Sequence, residues 1–542
     1  MKKTILTLII FIISVSAFAQ GWPDTVNQIE KIFARYKPGI PGGELAISRN
    51  GQIIYSKAWG MADLEHNISL TPQSPTEAGS VSKQFTSAAI LLLEQEGKLS
   101  LDDDVRKYVP ELPDYKTKIT LRQMMQHTSG LRDWGAIAGI AGWPRGTKTY
   151  SNEDALYIIA NQRGLNHRPG DEYLYSNSNY NLFAIIVQRV SGESLASYTK
   201  KKIFEPAGMK HTEWRDNFKR VVPNRAIAYS RALNLYQTNM PNENVYGNGG
   251  LLTTAEDLVT WCNYYGSGKL GNPSLLQRQI TSSFFNNGNK HNYAAGLFIT
   301  KFRGWDVYTH DGATASYRSN LDYYPELKLS IAWLSNSSEF DRDTFDVAEA
   351  VANLFVPLKS PEQQPAVVTE VSVPEEILKS YTGWYRNPRT GAGVKFFIRN
   401  GKLVSTQARE MKAISQTVFG INNSRVVMQN GQERKFLFIS PTKDSMYLTG
   451  VDSSLINEQT AAEYVGEYYS KDCECKGIIK ARNGKLFLTQ PPQTEFPLTP
   501  TYKDGFDSPV GNFYFERDKN KKIIGFKISV GRARNVEFAR VN

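Results

Sequence analysis

A repeated pattern constrains the fold of the last third of this 542-residue chain. The segment Tyr381-Thr382-Gly383-Trp384-Tyr385, followed by Asn400-Gly401-Lys402-Leu403, recurs as Tyr464-Val465-Gly466-Glu467-Tyr468, followed by Asn483-Gly484-Lys485-Leu486. Both parts recur at the same offset (464 − 381 = 83 and 483 − 400 = 83). Self-similarity at a fixed offset is typical of two copies of one structural unit. Each copy consists of short β-type runs rich in aromatic residues. Eight such runs in the second copy are enough to close a small antiparallel barrel.

A second constraint lies near the N-terminus, where an apolar helical pattern runs from Phe85 to Gln95 and ends at Gly97. Ser80 and Lys83 stand at its start and are three residues apart, so they lie on one face of the predicted helix. Ser80 also lies where unpaired N–H groups and the helix dipole favour developing negative charge. A weak alcohol nucleophile with an amine in reach is what acyl transfer through a covalent intermediate requires. The sequence therefore predicts a serine hydrolase with Ser80 as its nucleophile.

A Ser-x-x-Lys pattern by itself is a weak indication of catalysis. The chain holds two further examples, Ser197-x-x-Lys200 and Ser440-x-x-Lys443, and neither begins a helix after a strand-like segment. Ser80-x-x-Lys83 alone also fits a capping serine beside a solvated lysine. The hydrolase interpretation depends on motifs that follow later in the chain.

Two such motifs follow in order: Tyr175-x-Asn177, ahead of a helix expected to begin near Tyr180, and His310-Asp311-Gly312-Ala313 at the end of an expected strand. Together with Ser80-x-x-Lys83 they resemble the motifs of the serine β-lactamase and penicillin-binding protein family, closest to its class C and esterase-like branch. The resemblance covers roughly residues 38–355. Its supporting stretches are Leu99 to Pro110, His127-Thr128-Ser129-Gly130-Leu131 and Gly249 to Leu258.

This resemblance implies the fold class α/β (α+β). The expected architecture is a β-lactamase/transpeptidase-like fold, with an antiparallel sheet flanked by helices and an α-rich lobe between Leu121 and about Gln188. Small all-β barrel domains follow, because the C-terminal repeats resemble lipocalin-like barrels. We expect the barrels to pack on the catalytic domain or to shape its entrance. The alternative is that their aromatic interiors bind a ligand.

The resemblance also implies the site residues. Catalytic roles fall to Ser80, Lys83, Tyr175 and His310, and substrate binding to Asn177, Gly312 and Ala313. The backbone N–H groups of Ser80 and Ala313 are expected to form the oxyanion hole. Partial desolvation of Lys83 favours loss of its proton, and its charged form would favour a Tyr175 phenolate. Either group is able to accept the Ser80 proton, and the family resemblance implies that they share the task.

Two choices between similar candidates rest on context. Tyr-x-Asn also occurs at Tyr150 and Tyr246, but the Pro169-Gly170 turn before Tyr175 and the helix start after it resemble the family pattern. His127 is a candidate base, yet its segment is structural in the family. We therefore expect His127 to be a loop histidine with satisfied hydrogen bonds.

His310 stands where class C β-lactamases have lysine. A neutral histidine provides less positive charge to bind a substrate carboxylate and to lower the tyrosine pKa. This favours an esterase or peptidase that acts on small D-amino-acid or peptidoglycan-type compounds. The alternatives are a β-lactamase proper, or a slowly acylated penicillin-binding or cell-wall binding protein without efficient turnover.

The first residues predict export. Lys2 and Lys3, the apolar run from Ile5 to Val15 and the small residues of Ala17-Phe18-Ala19 are typical of a secretory signal, with an uncleaved anchor as the alternative. A periplasmic or secreted protein without a transmembrane anchor is expected after cleavage. The expected domains are the signal (1–19), the hydrolase (20–356), a proline-punctuated linker (357–374) and the two repeats (375–455 and 456–542).

Composition limits the partners. Hydrophobic residues at 41% and charged residues at 22% describe an ordinary globular protein. The net charge of +11, or 11 − 2 = +9 without Lys2 and Lys3, is spread among acidic residues without a basic helix, so no nucleic-acid partner is expected. The charge favours association with anionic cell-wall surfaces. The six histidines lack metal-ligand spacing, so we expect no metal and no cofactor, and a small-molecule or short-peptide substrate.

Overall fold

A computed structural model gives the structure of the protein and describes residues 21–339, 346–360, 370–406, 410–421, 424–429, 431 and 433–541. The predicted signal sequence and residues 361–369 of the predicted linker lie outside the described residues. Among the described helices, none is long and apolar enough to cross a membrane. No described helix or strand crosses the predicted boundaries after residues 356, 374 and 455.

The N-terminal part of the chain alternates helices and strands. Its helices are α1 (21–33), α2 (Lys83–Gln95), α3 (Leu121–Met125), α4 (Trp134–Ile140), α5 (Asn152–Ala160), α6 (Asn177–Ser191), α7 (Leu195–Thr199), α8 (Glu205–Ala207), α9 (Ala255–Gly266), α10 (Ser274–Gln279) and α11 (Val347–Phe355). Its strands are β1 (Gly43–Arg49), β2 (Gln52–Trp59), β3 (Met61–Asp63), β4 (Ile68–Ser69), β5 (Thr76–Glu77), β6 (Glu213–Trp214), β7 (Tyr229–Ala232), β8 (Leu235–Thr238), β9 (Leu251–Thr253), β10 (Phe298–Phe302), β11 (Trp305–Thr314), β12 (Tyr317–Tyr324) and β13 (Leu329–Ser335).

The central sheet has six antiparallel strands in the order β10-β11-β12-β13-β1-β2. Successive side chains of a strand point to opposite faces of the sheet. In β1, Leu45 and Ile47 therefore join the buried cluster under α1 and α11, whereas Ala46 joins the cluster on the other face with α2 and α9. Both faces are covered by helices, which is why every residue of β1 except Arg49 is buried.

The helical lobe surrounds α2, whose residues Lys83 to Leu93 are all buried. α2 packs on α6, α7 and α10, and α5 also packs on α6. A lysine within such a helix is removed from water, and this position determines its chemistry.

The C-terminal repeats form two eight-stranded antiparallel sheets. The first repeat begins with the helix α12 (Glu375–Ser380). Its strands are β14 (Gly383–Arg386), β15 (Gly393–Arg399), β16 (Lys402–Ser405), β17 (Lys412–Ala413), β18 (Val418–Ile421), β19 (Ser424–Gln429), β20 (Lys435–Ile439) and β21 (Ser445–Val451). The second repeat begins with the helix α13 (Glu458–Ala462). Its strands are β22 (Gly466–Ser470), β23 (Cys475–Arg482), β24 (Lys485–Gln490), β25 (Thr494–Tyr502), β26 (Gly505–Ser508), β27 (Gly511–Arg517), β28 (Ile523–Val530) and β29 (Ala533–Arg540). Pairing of β22 with β29 closes the second barrel, as the strand count predicted.

The repeated tyrosines have the same structural role in both copies. The Tyr385 hydroxyl donates to the carbonyl of Tyr381 at 2.9 Å, and the Tyr468 hydroxyl donates to that of Tyr464 at 2.7 Å. The repeated Asn-Gly pairs turn each β-hairpin with positive φ at both residues, as at Asn400 (φ 53°) and Gly401 (φ 72°). Such turns favour asparagine and glycine because other residues are strained there. The sequence repeat is therefore a structural repeat.

The second barrel packs directly on the helical lobe. Ile137 and Ile140 of α4 are buried in the apolar cluster of this barrel. Beside them Arg132 forms a buried ion pair with Asp472, with 2.6 Å between the nitrogen and oxygen atoms. The barrel interior is filled by stacked and tilted rings, among which Phe526 contacts Tyr468, Phe513, Phe515 and Phe538.

Candidate active site

Ser80 lies on a tight turn between two layers of the molecule. The turn (Gly79–Ser82) leads directly into α2 and packs against the second half of β11. β10 pairs only with the first half of β11, from Phe302↔Trp305 to Phe298↔Thr309. The remainder of β11 keeps one edge without a described strand partner, so this edge is available to the turn and to a ligand.

The structure brings four of the predicted site residues into one hydrogen-bonded group. Tyr175 Oη lies 2.9 Å from Ser80 Oγ, and Lys83 Nζ lies 3.1 Å from the same oxygen. Lys83 Nζ also lies 3.0 Å from Asn177 Oδ1 and contacts the carbonyl oxygen of Asn248. Ser80 Oγ therefore faces an amine and a phenol that come from different parts of the chain.

Burial sets the charge of this group. Desolvation lowers the pKa of Lys83 well below its usual range, and the positive charge of Arg532 lowers it further, whereas Asp133 opposes the shift. Desolvation likewise raises the pKa of Tyr175 well above its usual range, although the hydrogen bond to Ser80 acts in the other direction. Both shifts favour the uncharged forms, a neutral amine and a protonated phenol.

Tyr175 and Asn177 are held by the start of α6. This helix begins at Asn177, three residues before the position expected from the sequence. The backbone N–H of Asn177 donates to the carboxylate of Asp133, with 2.7 Å between N and Oδ2. Asp133 also caps α4, where its Oδ1 accepts from the N–H of Ala136. The carboxylate thus joins two helices at the floor of the site.

His310 lies inside a strand and not at its end, because β11 continues to Thr314. Its Nδ1 lies 2.5 Å from the Asp311 carbonyl, and its Nε2 lies 3.1 Å from the Tyr293 hydroxyl. A carbonyl only accepts, so Nδ1 carries the proton and Nε2 accepts from Tyr293. Burial lowers the pKa of His310 to about 4, and a positive charge on Lys83 would act in the same direction. The ring is therefore neutral near pH 7.

Gly312 and Ala313 stand where the backbone of β11 touches the serine turn. A Cβ atom at Gly312 would overlap the carbonyl oxygen of Ala78 and the hydroxyl of Ser319. A Cβ atom at Gly79 would lie 2.7 Å from Ala313 N, and the φ of Gly79 is +50°. The approach of these two segments therefore requires glycine on both sides.

His127 differs in part from the expectation. Its Nδ1 accepts from the N–H of Ser176 at 3.2 Å, but its buried Nε2 has no hydrogen-bond partner among the described residues. The ring centroid lies 4.1 Å from that of Tyr175. Burial lowers the pKa of His127 well below its usual range. His127 is thus a neutral histidine that packs against the Tyr175 ring, and only one of its two nitrogens is satisfied.

The alternative motifs lie elsewhere or have other partners. Ser197 is exposed on α7 and donates to Glu193 at 3.0 Å. The Tyr150 hydroxyl donates to the carbonyl of Trp143 at 2.5 Å. The third Tyr-x-Asn motif contributes its asparagine, because the Asn248 carbonyl contacts Lys83. A backbone group carries no sequence signal, so this contact was not predicted.

An open cavity of about 310 Å³ lies above Ser80. Five of the predicted residues line it, Ser80, Tyr175, Asn177, His310 and Ala313. Its walls also include Arg145, Asn248, Phe298, Asp311 and Arg532. Arg145 is paired with the buried carboxylate of Glu243, with 3.1 Å between Nε and Oε2. Sequence reasoning missed both arginines, since neither belongs to a motif and Arg532 comes from the second barrel.

Two other features lie away from Ser80. A larger cleft of about 1260 Å³ between the barrels is lined by Tyr464, Tyr502, Tyr514 and Arg517, among others, and contains none of the predicted site residues. A metal-capable group within the described residues consists of Asp63, Glu65 and His66, where His66 Nδ1 lies 2.7 Å from Asp63 Oδ2. Glu65 and His66 are exposed, and none of the three lines the Ser80 cavity.

The helix-flanked antiparallel sheet, the helical lobe and the serine at the start of a buried helix define a β-lactamase/transpeptidase-like fold of the serine hydrolases. A family model described as Beta-lactamase matches residues 26–354. The chain belongs to this family, which confirms the predicted fold class and the resemblance.

Two relatives are D-aminopeptidases. The chain is 24% identical over 527 residues to that of Cereibacter sphaeroides, which covers 92% of this chain and 96% of the relative. It is 29% identical over 300 residues to that of Gluconobacter oxydans, which covers 55% of this chain and 56% of the relative. The chain thus spans little more than half the length of the second relative.

A solved structure has a similar architecture. The octameric penicillin-binding protein homologue from Pyrococcus abyssi is 22% identical, with a TM-score of 0.54 over 87% of this chain and 99% of that chain. At this level of identity the likeness describes the fold, including the C-terminal barrels.

Proposed function

We propose that this protein is an exported serine hydrolase that forms an acyl–Ser80 intermediate and cleaves esters or amides of small D-amino-acid or peptidoglycan-type compounds. The observation that carries the proposal is the position of Ser80 Oγ, 3.1 Å from Lys83 Nζ and 2.9 Å from Tyr175 Oη, in an open cavity.

Lys83 is the base in this proposal. A neutral amine has two N–H groups and one lone pair. Asn177 Oδ1 and the Asn248 carbonyl accept the two N–H groups, which directs the lone pair towards Ser80 Oγ. The lowered pKa of Lys83 keeps the amine neutral and able to take the serine proton.

Tyr175 is the proton donor. Its raised pKa favours a phenol and not the phenolate expected from the sequence. Attack by Ser80 forms the Oγ–carbon bond, and the serine proton passes to Lys83. Breakdown of the tetrahedral intermediate breaks the bond to the leaving group, which takes the Tyr175 proton, and Lys83 then returns its proton to Tyr175. Water attacks the acyl–serine ester, gives a proton to the same network and restores the Ser80 hydroxyl.

The backbone N–H groups of Ser80 and Ala313 are the proposed oxyanion donors. The glycines at positions 79 and 312 support this assignment, because they let the two backbone segments approach closely. His310 and Gly312 align the β11 edge in this scheme, and Asn177 orients Lys83 and the substrate amide.

Cavity size and relatives support the substrate class. A volume of about 310 Å³ matches a small ligand or a short peptide and not a polymer domain. The two relatives named above are D-aminopeptidases. The export signal predicted at residues 1–19 would bring the enzyme to cell-wall compounds, and the net charge of +9 after cleavage favours association with that surface.

The experiment compares wild type with Ser80→Ala on a p-nitrophenyl ester, a D-alanyl anilide and nitrocefin. Ser197→Ala is the matched control, because Ser197 belongs to an exposed Ser-x-x-Lys pattern. Intact-mass measurement during turnover should detect an acyl adduct on the wild type and on Ser197→Ala, and none on Ser80→Ala.

Each result has a distinct meaning. Ester and anilide hydrolysis that Ser80→Ala abolishes supports the proposal. A stable adduct without turnover identifies a slowly acylated binding protein, and rapid nitrocefin turnover identifies a β-lactamase proper. Unchanged activity of Ser80→Ala contradicts the assignment of the nucleophile. N-terminal sequencing of the exported protein tests cleavage before Gln20.

A further inference from the structure

A hairpin of the second barrel enters the Ser80 cavity. Arg532 lies in the two-residue turn between β28 and β29, and its side chain is part of the cavity wall. The carbon of its guanidinium group lies 4.7 Å from the centroid of the Tyr175 ring. Tyr175 Oη in turn lies 2.9 Å from Ser80 Oγ. The Arg532 guanidinium of the barrel therefore contacts a side chain, Tyr175, that itself contacts the predicted nucleophile.

The hairpin is fixed in this position by its backbone. The Arg532 carbonyl accepts from the N–H of Asp133 and from the side-chain amide of Asn166, each at 3.1 Å. Asn166 Oδ1 accepts in return from the N–H of Arg534 at 2.7 Å. The Arg534 guanidinium then binds the Glu172 carboxylate at 2.6 Å. These contacts fix the turn, so the Arg532 side chain is directed at the cavity by the docked barrel.

Among the described residues, Arg532 is the cationic side chain of the cavity wall that has no ion-pair partner. Burial lowers the pKa of Lys83 and of His310, which favours the neutral form of each side chain. Arg145 is neutralised by Glu243. In the described part of the chain the Arg532 guanidinium forms no hydrogen bond, and it contacts the face of the Tyr175 ring. The carboxylate of Asp311 lines the same cavity but forms no ion pair with it, so the guanidinium donors remain available to a ligand.

We infer that Arg532 binds a carboxylate of the substrate and that the enzyme prefers acyl compounds with a free carboxylate. The planar guanidinium matches a carboxylate with two parallel N–H···O bonds, which a neutral or singly charged donor does not provide. The barrel thus replaces the positive charge that the neutral His310 does not supply. This inference rests on the proposed acyl-transfer function and extends it to the substrate class.

The test measures kcat/KM for two pairs of substrates that differ only in charge. One pair is D-alanyl-D-alanine and its C-terminal amide, with the charge on the leaving group. The other is the p-nitrophenyl hemiester of succinate and its methyl ester, with the charge on the acyl group. The readout is the charged-to-neutral ratio within a pair, which cancels effects on Ser80, Lys83 and Tyr175 because both members use them.

Arg532→Gln should lower this ratio by about 10-fold or more in at least one pair, the scale of one charge-assisted hydrogen bond. Arg532→Glu should lower it further through repulsion. Arg482→Gln is the matched control, an exposed arginine on the same barrel that is paired with Glu495, and it should leave the ratio unchanged.

Two outcomes overturn the inference. The ratio changes by less than about threefold in both pairs, or Arg482→Gln changes it as much as Arg532→Gln does. The first result would mean that Arg532 only packs on Tyr175. Failure of the proposed function is recognised separately, because wild type would then hydrolyse no member of either pair. Matching thermal unfolding of the variants establishes that the barrel remains docked.

Discussion

The carboxylate of Asp133 accepts a hydrogen bond from the backbone N–H of Asn177, at 2.7 Å. The backbone N–H of the same aspartate donates to the carbonyl of Arg532 on the second barrel, at 3.1 Å. One residue therefore joins the start of α6, which carries the site, to the hairpin of a domain more than 350 positions later in the chain. The barrel is part of the wall of the site, which agrees with the expectation that it shapes the entrance.

Asp472→Ala should weaken the docking of the second barrel on the helical lobe. Arg132 would remain buried without its carboxylate partner, and an uncompensated buried charge costs about 3–5 kcal/mol. We expect a lower midpoint of chemical unfolding together with reduced ester hydrolysis, because the Arg532 hairpin moves. Glu467→Ala is the control, since its ion pair with Lys476 is exposed and such pairs contribute about 0–1 kcal/mol. Equal unfolding midpoints for the two variants would contradict this account of docking.

Gly312→Ala should inactivate the enzyme while the chain still folds. The added methyl group would overlap the Ala78 carbonyl and the Ser319 hydroxyl, and relief of the overlap moves β11 away from the serine turn. Loss of an oxyanion donor lowers kcat by about 100-fold or more. Gly139→Ala is the control, because nothing lies within 4 Å of a Cβ atom at this position of α4. Full activity of Gly312→Ala would exclude the proposed oxyanion hole.

Local patterns were sufficient for much of the fold. The Asn-Gly hairpins, the two barrels and α2 follow from turn chemistry, repetition and periodicity, which act between residues near in sequence. The same holds for Ser80 and Lys83, which are placed together by one helical turn. The family resemblance brought Tyr175 and Asn177 into this group, although a long segment of chain separates them from Ser80.

Other features depend on packing that no local pattern encodes. His310 lies mid-strand because β11 stays paired with β12 as far as Thr314, beyond the last residue that it pairs with β10. The Asn248 contact to Lys83 comes from a backbone carbonyl, which every residue possesses. Arg532 reaches the cavity only because the barrel docks on α4, and docking depends on surfaces distant in sequence. The residues of the site could thus be predicted where they share one helix or one motif. They could not be predicted where the second barrel contributes them.

Tyr175→Phe should lower kcat by about 10²- to 10⁴-fold, the usual contribution of a positioned proton donor. The phenyl ring keeps its contact with His127, so the unfolding temperature should change little. Tyr173→Phe is the matched control, because the Tyr173 ring also contacts His127 and its hydroxyl forms no hydrogen bond with the described residues. Equal kcat values for the two variants would show that Tyr175 does not take part in proton transfer.

The pH dependence of the reaction tests the charge of Lys83. The neutral amine is the active form of Lys83. For a neutral ester, kcat/KM should therefore be low below the Lys83 pKa and rise as the pH increases through it. The positive charge of Arg532 lowers the pKa of Lys83. Arg532→Gln removes that charge and stabilises the ammonium form, so the acid limb of the profile should shift to higher pH. Arg532→Glu should shift it further in the same direction, whereas Arg482→Gln should leave it in place. A shift to lower pH in either Arg532 variant would mean that the limb does not report Lys83, and the base would have to be sought elsewhere in the cavity.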